Sequence, residues 1–495
     1  MEHKGRDANL LQALIPIVFL ISFLIFNVLY FGDHTLDGAN QVALILSAAI
    51  AGGIAVYLGN SWSYIRSRIV KSISSAMPSI LILLLIGALA GTWMISGVVP
   101  AMIYYGLKIF HPSIFLVASV VISAIVSLAT GSSWSTIATI GIALIGIGKT
   151  LGLGEGIIAG AVISGAYFGD KMSPLSDTTN LAPAMAGTDL FTHIRYMTIT
   201  TVPSISITLV IFLILGFTYD FGATTADVSS VLNAIDNRFN INGWLFLVPA
   251  FLITIIVLKI PPLPSILAGS LAGGAFAIIF QPHLLYEVAG TGLSFFKASY
   301  IAVMQAIFGD VTITTENAIV NELLSSTGMA GMLNTIWLII SAMIFGGTME
   351  SAGLLVKITS SVIKWAKSTG SLVATTIASS IFFNITASDQ YIAIVVPGRM
   401  FAETYRKRGL KPEVLSRTLE DGGTITSVLI PWNTCGATQS RVLGVPTLSY
   451  LPFAFFNIIN PFMAIFIASI NYKIRRFKEG EKPEKRSFEQ NRKDI

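Results

Sequence analysis

Long apolar runs almost free of charge are the feature that most limits what this chain can fold into. Only 12% of the 495 residues are charged and the mean hydropathy is +0.74, whereas a soluble domain carries about 25% charged residues. This composition disfavours a soluble enzyme, a nucleic-acid-binding protein and a fibrous protein, and it predicts an all-α integral membrane protein. A bilayer-crossing helix needs about 20 apolar residues, and ten segments of that kind lie near 10–31, 41–58, 77–97, 157–188, 195–217, 244–260, 262–280, 331–349, 420–444 and 447–470.

Two further apolar stretches are each divided by a short polar patch. The first joins 113–130 to 134–149, and the second joins 371–387 to 389–403. We interpret both stretches as re-entrant hairpins, which enter the membrane and return to the same side. Two full crossings in either stretch would break the charge pattern described next.

Positive charge is unevenly divided between the two sides. With the N-terminus placed inside, the inner loops and tails hold 25 Lys and Arg residues, the outer loops hold five, and Lys171 lies within a span. Positive residues collect on the cytoplasmic side of membranes, so the net charge of +5 indicates topology rather than nucleic-acid binding. The sequence therefore predicts a multi-pass protein of the cytoplasmic membrane with both termini in the cytoplasm.

The chain resembles itself at a shift of about 256 residues. Gly91-Thr92 falls on Gly347-Thr348, and at a shift of 257 Pro174 falls on Pro431. Each half holds five crossings and one hairpin, and because five is odd, the second half enters the membrane upside down. Inverted repeats that meet around broken helices are typical of secondary transporters.

The repeat divides the chain into four predicted units. The first unit is an inverted repeat at 1–218, with scaffold helices in 10–58, a hairpin at 113–149 and a broken helix at 157–188. An external connector at 219–243 joins it to a second inverted repeat at 244–470, which has a hairpin at 371–403 and a broken helix at 420–444. The last unit is a basic cytoplasmic tail at 471–495.

Ionisable residues inside membrane spans are costly and therefore mark functional positions. Five acids lie within predicted spans or hairpins and are candidates for proton coupling, and Glu420 lies at a span boundary. The proton-coupling candidates are Asp170, Asp177, Asp389, Glu350 and Asp421. We expect Asp389 to be functional, because a carboxylate at a hairpin tip has no packing role.

Oxygen-bearing side chains gather at the hairpin tips and where proline interrupts the broken helices. Carboxylate, hydroxyl, amide and freed carbonyl oxygens suit a hard cation, and buried carboxyl groups also bind protons, so a cation and protons would compete for the same groups. We predict an Na⁺ site at Asp170, Asp177 and Asp389, completed by hydroxyl and backbone oxygens. The candidate ion-binding residues are Ser132, Ser133, Asp170, Ser173, Asp177, Thr178, Asn180, Asn384, Ser388, Asp389, Asn433 and Thr434.

Structural interpretations remain open at several of these positions. The hydroxyl residues at the tips could satisfy only their own backbone, and an ion pair of Lys171 with Asp170 or Asp177 could serve only to neutralise charge. Glu350 has no counterpart in the repeat, so it is either a proton site of one half or an acid at the interface. The five histidines lie in tails, loops or span ends, where we expect them to be solvated.

At these motifs the sequence resembles the NhaC family of Na⁺/H⁺ antiporters, within the ion-transporter superfamily. The resemblance covers nearly the whole chain, and Arg441 is less typical of the family. The motifs that carry it are Gly91-Thr-Trp-Met-Ile-Ser-Gly-Val-Val-Pro100, Gly131-Ser-Ser-Trp134, Phe168-Gly-Asp-Lys-Met-Ser-Pro-Leu-Ser-Asp-Thr-Thr-Asn180, Ala387-Ser-Asp-Gln-Tyr391, Trp432-Asn-Thr-Cys-Gly436 and Leu443-Gly-Val-Pro-Thr447.

The resemblance implies exchange of Na⁺ for H⁺ by a homodimer. It also implies that the hairpins and broken helices form a transport domain, which moves against a scaffold built from the remaining spans. Some members of this family exchange organic acids such as malate and lactate with ion coupling, which is the main alternative. Five buried acids against one buried lysine favour a cation over a bare dicarboxylate.

Other classes of membrane protein fit less well. A channel would show a repeated filter or a symmetric pore sequence, and a membrane enzyme would show a nucleophile motif or a His/Cys/Asp metal cluster; neither pattern is present in the sequence. No cofactor is predicted beyond Na⁺ and H⁺ as transported ions.

Overall fold

The computed structural model describes residues 6–31, 37–218, 225–315, 320–321, 324–363 and 367–477. These residues are almost entirely helical, which confirms the all-α prediction. A two-residue antiparallel pair joins β1 (Val311–Thr312) to β2 (Ser325–Ser326). Residues 219–224 of the predicted connector and 478–495 of the predicted tail lie outside the described residues, as do His3 and His34.

Fifteen α-helices precede β1 in the described part of the chain. They are α1 (Leu10–Phe31), α2 (Ala39–Tyr57), α3 (Trp62–Ile95), α4 (Val98–Ile109), α5 (Pro112–Thr130), α6 (Ser133–Thr136), α7 (Ile142–Thr150), α8 (Glu155–Met172), α9 (Asp177–Ala186), α10 (Leu190–Thr218), α11 (Thr225–Arg238), α12 (Leu247–Val257), α13 (Pro262–Phe280), α14 (Pro282–Ala289) and α15 (Phe295–Phe308). A π-helical turn, Ile137–Gly141, links α6 to α7.

Nine helices described after β2 complete the chain. They are α16 (Leu333–Ser351), α17 (Leu354–Ile363), α18 (Thr369–Thr386), α19 (Gln390–Lys407), α20 (Pro412–Leu419), α21 (Ile425–Ser427), α22 (Thr434–Leu443), α23 (Thr447–Tyr450) and α24 (Phe455–Ser469). A second π-helical turn, Glu420–Thr424, links α20 to α21.

Eight of the described helices are long and apolar enough to cross a membrane, and the number rises to ten if each of two bent helix pairs is one span. The eight include most of the predicted crossings together with α5 and α18, the first arms of the two predicted hairpins. The bent pairs are Val228–Arg238 with Gly243–Val257, at 92°, and Thr447–Phe453 with Phe455–Ser469, at 55°. The prediction of a polytopic membrane protein is thus confirmed.

Two predicted boundaries were wrong. The span predicted at 77–97 is the second part of α3, a single 34-residue helix that begins at Trp62. Its N-terminus is fixed by Ser61, whose side chain accepts a hydrogen bond from the backbone of Tyr64. The span predicted to begin at 420 belongs to a helix that starts at Pro412, because proline is favoured in a first helical turn.

The most extensive helix–helix contacts fall in two sets, which share continuous hydrophobic cores. α3 and α16 lie side by side and gather α1, α2 and α13 around them, whereas α8 packs along α5, and α18, α19 and α20 surround α9 and the second π-helical turn. In the α5–α8 pair a Cβ added to Gly165 would lie 2.1 Å from the carbonyl oxygen of Val120. Glycine is therefore required for this close approach, as is common between membrane helices.

Candidate ion-binding site

The first hairpin and the first broken helix meet at Asp170. The hairpin turns at Gly131, where φ is +70°, and its second arm begins at Ser133. One carboxylate oxygen of Asp170 accepts hydrogen bonds from the Ser133 backbone N–H, at 3.0 Å, and from the Ser133 hydroxyl, at 2.6 Å. The start of the second arm, which carries partial positive charge, therefore faces this aspartate.

The break between α8 and α9 is tied down by local hydrogen bonds. Ser173 donates its hydroxyl to the Leu128 carbonyl of the hairpin at 2.8 Å, and Ser176 caps α9 through the Thr179 amide. Thr178 is buried and its hydroxyl lies 3.2 Å from that of Ser176. The break is thus closed by hydrogen bonds to the hairpin and within the broken helix itself.

The second hairpin and the second broken helix meet in the same way. The Thr434 backbone N–H donates to the Ser388 carbonyl at 2.9 Å, so that α22 begins at the hairpin tip. Asn433 donates through Nδ2 to the side-chain oxygen of Asn384 at 3.1 Å, and Asn384 donates in turn to the Gly423 carbonyl at 2.7 Å. Both asparagines are completely buried, so this junction is a structural polar network as well as a candidate site.

Asp389 lies at the second tip and has a packing role, contrary to expectation. Its Oδ1 accepts hydrogen bonds from the backbone of Tyr391, at 2.9 Å, and of Ile392, at 3.0 Å, and so it caps α19. Its Oδ2 is buried and has no hydrogen-bond partner among the described residues, and the same holds for the hydroxyl of Ser388. The residue therefore combines a structural oxygen with a free one.

The two junctions lie near each other. The hydroxyl of Tyr391 is within electrostatic range of Asp170, Asp177 and Asp389, although these acids come from different elements. Among the described residues no three His, Cys, Asp or Glu side chains are grouped closely enough to hold a metal ion. An ion here would therefore be held by one or two carboxylates together with neutral oxygens.

The remaining candidates occupy more peripheral positions. Asp177 and Asn180 are exposed, and Asn180 donates to the Pro174 carbonyl at 2.9 Å. Ser132 caps the second hairpin arm by accepting from the Ser135 amide. Glu350 forms an ion pair with Arg68 at 3.2 Å, and 46% of its side chain is exposed; it lines a surface cavity and not the junctions.

One interpretation left open for Lys171 and one expectation for the histidines do not hold. Lys171 pairs with Asp421 of the second broken helix instead of with Asp170 or Asp177. His193 is not solvated: it is completely buried and its Nδ1 lies 2.8 Å from the hydroxyl of Ser416.

Sequence reasoning also missed a buried arginine. Arg417 was counted among the inner loop charges, yet it is completely buried on α20. Its spacing of four residues from Asp421, which favours an ion pair on a helix, was the signal available in the sequence.

Comparisons with known proteins agree with the resemblance. A model of the Na⁺/H⁺ antiporter family matches residues 165–471. The chain is 36% identical to the Na⁺/H⁺ antiporter NhaC of Bacillus subtilis over 87% of this chain and 92% of that one, and 37% identical to NhaC of Alkalihalophilus pseudofirmus over 86% and 89%. It is also 37% identical to the malate-2H⁺/Na⁺-lactate antiporter of Bacillus subtilis, over 87% and 89%.

Proposed function

The chain belongs to the Na⁺/H⁺ antiporter family, and from that premise we propose that it exchanges Na⁺ for H⁺ across the cytoplasmic membrane by alternating access. It is a membrane transporter and not an enzyme. The observation that carries the proposal is the buried, unpartnered Oδ2 of Asp389 at the tip of the second hairpin. A charged oxygen buried without a partner is costly, and either a cation or a proton would remove that cost.

Na⁺ and protons would use the same carboxylates in turn. Asp389 Oδ2 and the Ser388 hydroxyl offer unpartnered oxygens at one junction, and Asp170 offers a carboxylate at the other. Oxygen ligands of this kind suit a hard cation. When protons occupy the carboxyl groups, the cation loses its charged ligands, and this competition yields exchange without both ligands bound at once.

Inverted symmetry remains part of the proposal, and the helix boundaries support it. α9 and α22 each have ten residues and begin 257 residues apart. α5 ends at Thr130 and α18 ends at Thr386, which is 256 residues later. In the proposed motion, which is elevator-like, the hairpins and broken helices move together against a scaffold centred on α3 and α16.

Orientation and assembly are proposed on other grounds. Because Arg417 is buried in a helix, the inner loops and tails hold 24 basic residues against five outside, and this asymmetry supports a cytoplasmic location of both termini. A homodimer is proposed from the family resemblance.

A second candidate function is ion-coupled exchange of an organic acid. It is favoured by the relative named as a malate and lactate antiporter, which is as similar to this chain as the NhaC proteins are. Arg441, however, does not offer a free cation to such a substrate. Its Nη2 donates to the Thr327 hydroxyl at 3.0 Å, and it lies within electrostatic range of Asp37 and Asp310.

The two functions are separated by a transport screen. Purified protein in vesicles loaded with a pH-sensitive dye is challenged with Na⁺, Li⁺, K⁺, malate and lactate, each added alone. The proposal predicts dye dequenching with Na⁺ in the absence of any organic acid. Movement of malate or lactate with no response to cations alone would replace it with the second candidate.

A further inference from the structure

A second group of buried charges lies deeper in the helices than the hairpin tips. Lys171, Arg417, Glu420 and Asp421 all have 0% exposure. They come from α8 and from the helix that runs from α20 into the second π-helical turn. Ionisable residues at this depth are expected to be paired, but only some of these four are.

Asp421 holds most of the interactions in the group. Its Oδ1 accepts hydrogen bonds from Asn460 Nδ2 at 2.7 Å and from the Thr200 hydroxyl at 3.3 Å, and it contacts Lys171 Nζ. Its Oδ2 lies 3.7 Å from Arg417 Nε. The Asp421 carboxylate is therefore shared between Lys171 and Arg417.

Arg417 and Glu420 lack hydrogen bonds. None of the three guanidinium nitrogens of Arg417 and neither carboxylate oxygen of Glu420 has a hydrogen-bond partner among the described residues. The guanidinium group lies over the Tyr196 ring, 4.6 Å from its centroid, and the Thr424 hydroxyl is the neighbour of Glu420 one turn along. An ionised carboxylate buried without a partner is strongly unfavourable, so this geometry favours the neutral, protonated form of Glu420.

We propose that Glu420 is a proton-binding group of the transporter, separate from Asp170 and Asp389. It holds a proton in the conformation described here. On release, its O–H bond breaks, the proton passes to water that enters as the transport domain moves, and the carboxylate turns onto Arg417. Arg417 lies three residues earlier, on the neighbouring turn, and its free N–H groups can receive the carboxylate in a two-point contact.

The four buried charges lie beside Asp170 of the candidate ion site, so the proton on Glu420 can respond to an ion bound there. Lys171 follows Asp170 in α8, and Asp421, which pairs with Lys171, follows Glu420. The Lys171–Asp421 ion pair therefore connects the helix that carries Asp170 to the helix that carries Glu420. Asp170 is within electrostatic range of Glu420. Arrival of Na⁺ at Asp170 adds positive charge nearby and thereby favours release of the Glu420 proton. This coupling rests on the proposed function, whereas the protonation of Glu420 does not.

The surrounding elements contribute few other ionisable groups. α18 and α24 contain no charged or titratable residue, and α9 contributes Asp177. Asp170, Lys171 and Asp421 lie within electrostatic range of Glu420, and Arg417 lies three residues before it in the same helix. His193, Tyr196 and Tyr405 are titratable groups buried on neighbouring helices, whereas Asp177 is exposed.

Infrared difference spectroscopy on the purified full chain, Na⁺ minus K⁺, tests the proposal. A protonated carboxyl group gives a C=O stretching band. We expect the Glu420 component of this band to decrease when Na⁺ binds to the wild type and to be absent in Glu420→Gln, whereas the components from Asp170 and Asp389 remain. Glu413→Gln is the matched control: Glu413 is a buried glutamate on the same helix, already paired with Arg475 at 3.2 Å, and its substitution should leave the band unchanged.

Labelling keeps the test independent of how well the variants fold. In the wild type, ¹³C-carboxyl labelling of glutamate should shift the Glu420 component, whereas labelling of aspartate should shift only the components from Asp170 and Asp389. A band that is unchanged in Glu420→Gln, or that shifts only with aspartate labelling, overturns the proposal. A wild type that shows the band but moves no protons with Na⁺ in vesicles would refute the exchange function while leaving the proton site in place.

Discussion

The two carboxylate oxygens of Asp389 have different surroundings. Oδ1 caps α19 by accepting two backbone hydrogen bonds, and Oδ2 has none among the described residues. Sequence reasoning identified the residue but assigned it no packing role, because a helix cap depends on backbone geometry at the tip. The two oxygens can be separated by substitution, since asparagine caps a helix about as well as aspartate.

Asp389→Asn is therefore expected to fold normally and to lose Na⁺-dependent proton movement in vesicles. Asp389→Ala should lose transport and also about 1 kcal/mol of stability, because it removes the cap. Transport assays and thermal unfolding in detergent check the pair. Full transport by Asp389→Asn would remove this carboxylate from the mechanism.

The hydroxyl of Ser133 holds the Asp170 carboxylate at 2.6 Å. A hydrogen bond to a charged group contributes about 1.5–3 kcal/mol, so Ser133→Ala should raise the Na⁺ concentration for half-maximal transport by about tenfold or more. Ser123→Ala is the control, because the buried Ser123 hydroxyl has no hydrogen-bond partner among the described residues. Equal Na⁺ dependence in the two variants would contradict a role for the Ser133 contact.

At the scale of elements, the sequence predicted where helices are interrupted better than where they begin and end. The segment predicted as a hairpin at 113–149 contains helices that run from Pro112 to Thr150, and helix breaks lie beside Pro174 and Pro431, because proline and glycine act locally. The helix that begins at Pro412 was missed, since Arg417, Glu420 and Asp421 raise the polarity of that segment. Their burial depends on partners such as Lys171 and Asn460, which are 250 and 39 residues away from Asp421.

Gly346 of α16 lies close to the second hairpin tip. A Cβ added to Gly346, on α16, would lie 3.0 Å from Ala387 Cα, whereas a Cβ on Gly53, on α2, would meet nothing within 4 Å. Gly346→Val should therefore displace the tip and sharply reduce the transport rate, and Gly53→Val should not, although both place valine within a helix. Equal transport rates at matched protein amounts would show that the tip does not depend on this contact.

For the whole molecule, the family and the helical membrane fold could be predicted from sequence, but the connection between the two charged sites could not. Composition and motifs suffice for the first two, because each reflects local residue types. The path from Asp170 through Lys171 and Asp421 to Glu420 crosses from one broken helix to the other, so it appears only when both halves are folded together. The structure thus places two sets of acids in electrostatic contact, one with free oxygens at the hairpin tips and one deeper in the helices.

The central claim is that Na⁺ displaces protons from buried carboxyl groups, and the most direct measurement is proton release on Na⁺ binding. Purified protein in a weakly buffered solution is titrated with NaCl, with KCl as the control, while the pH and the heat of binding are recorded together. We predict that the wild type releases protons as Na⁺ binds, and that Asp389→Asn releases fewer. Binding of Na⁺ to the wild type with no release of protons would contradict the claim.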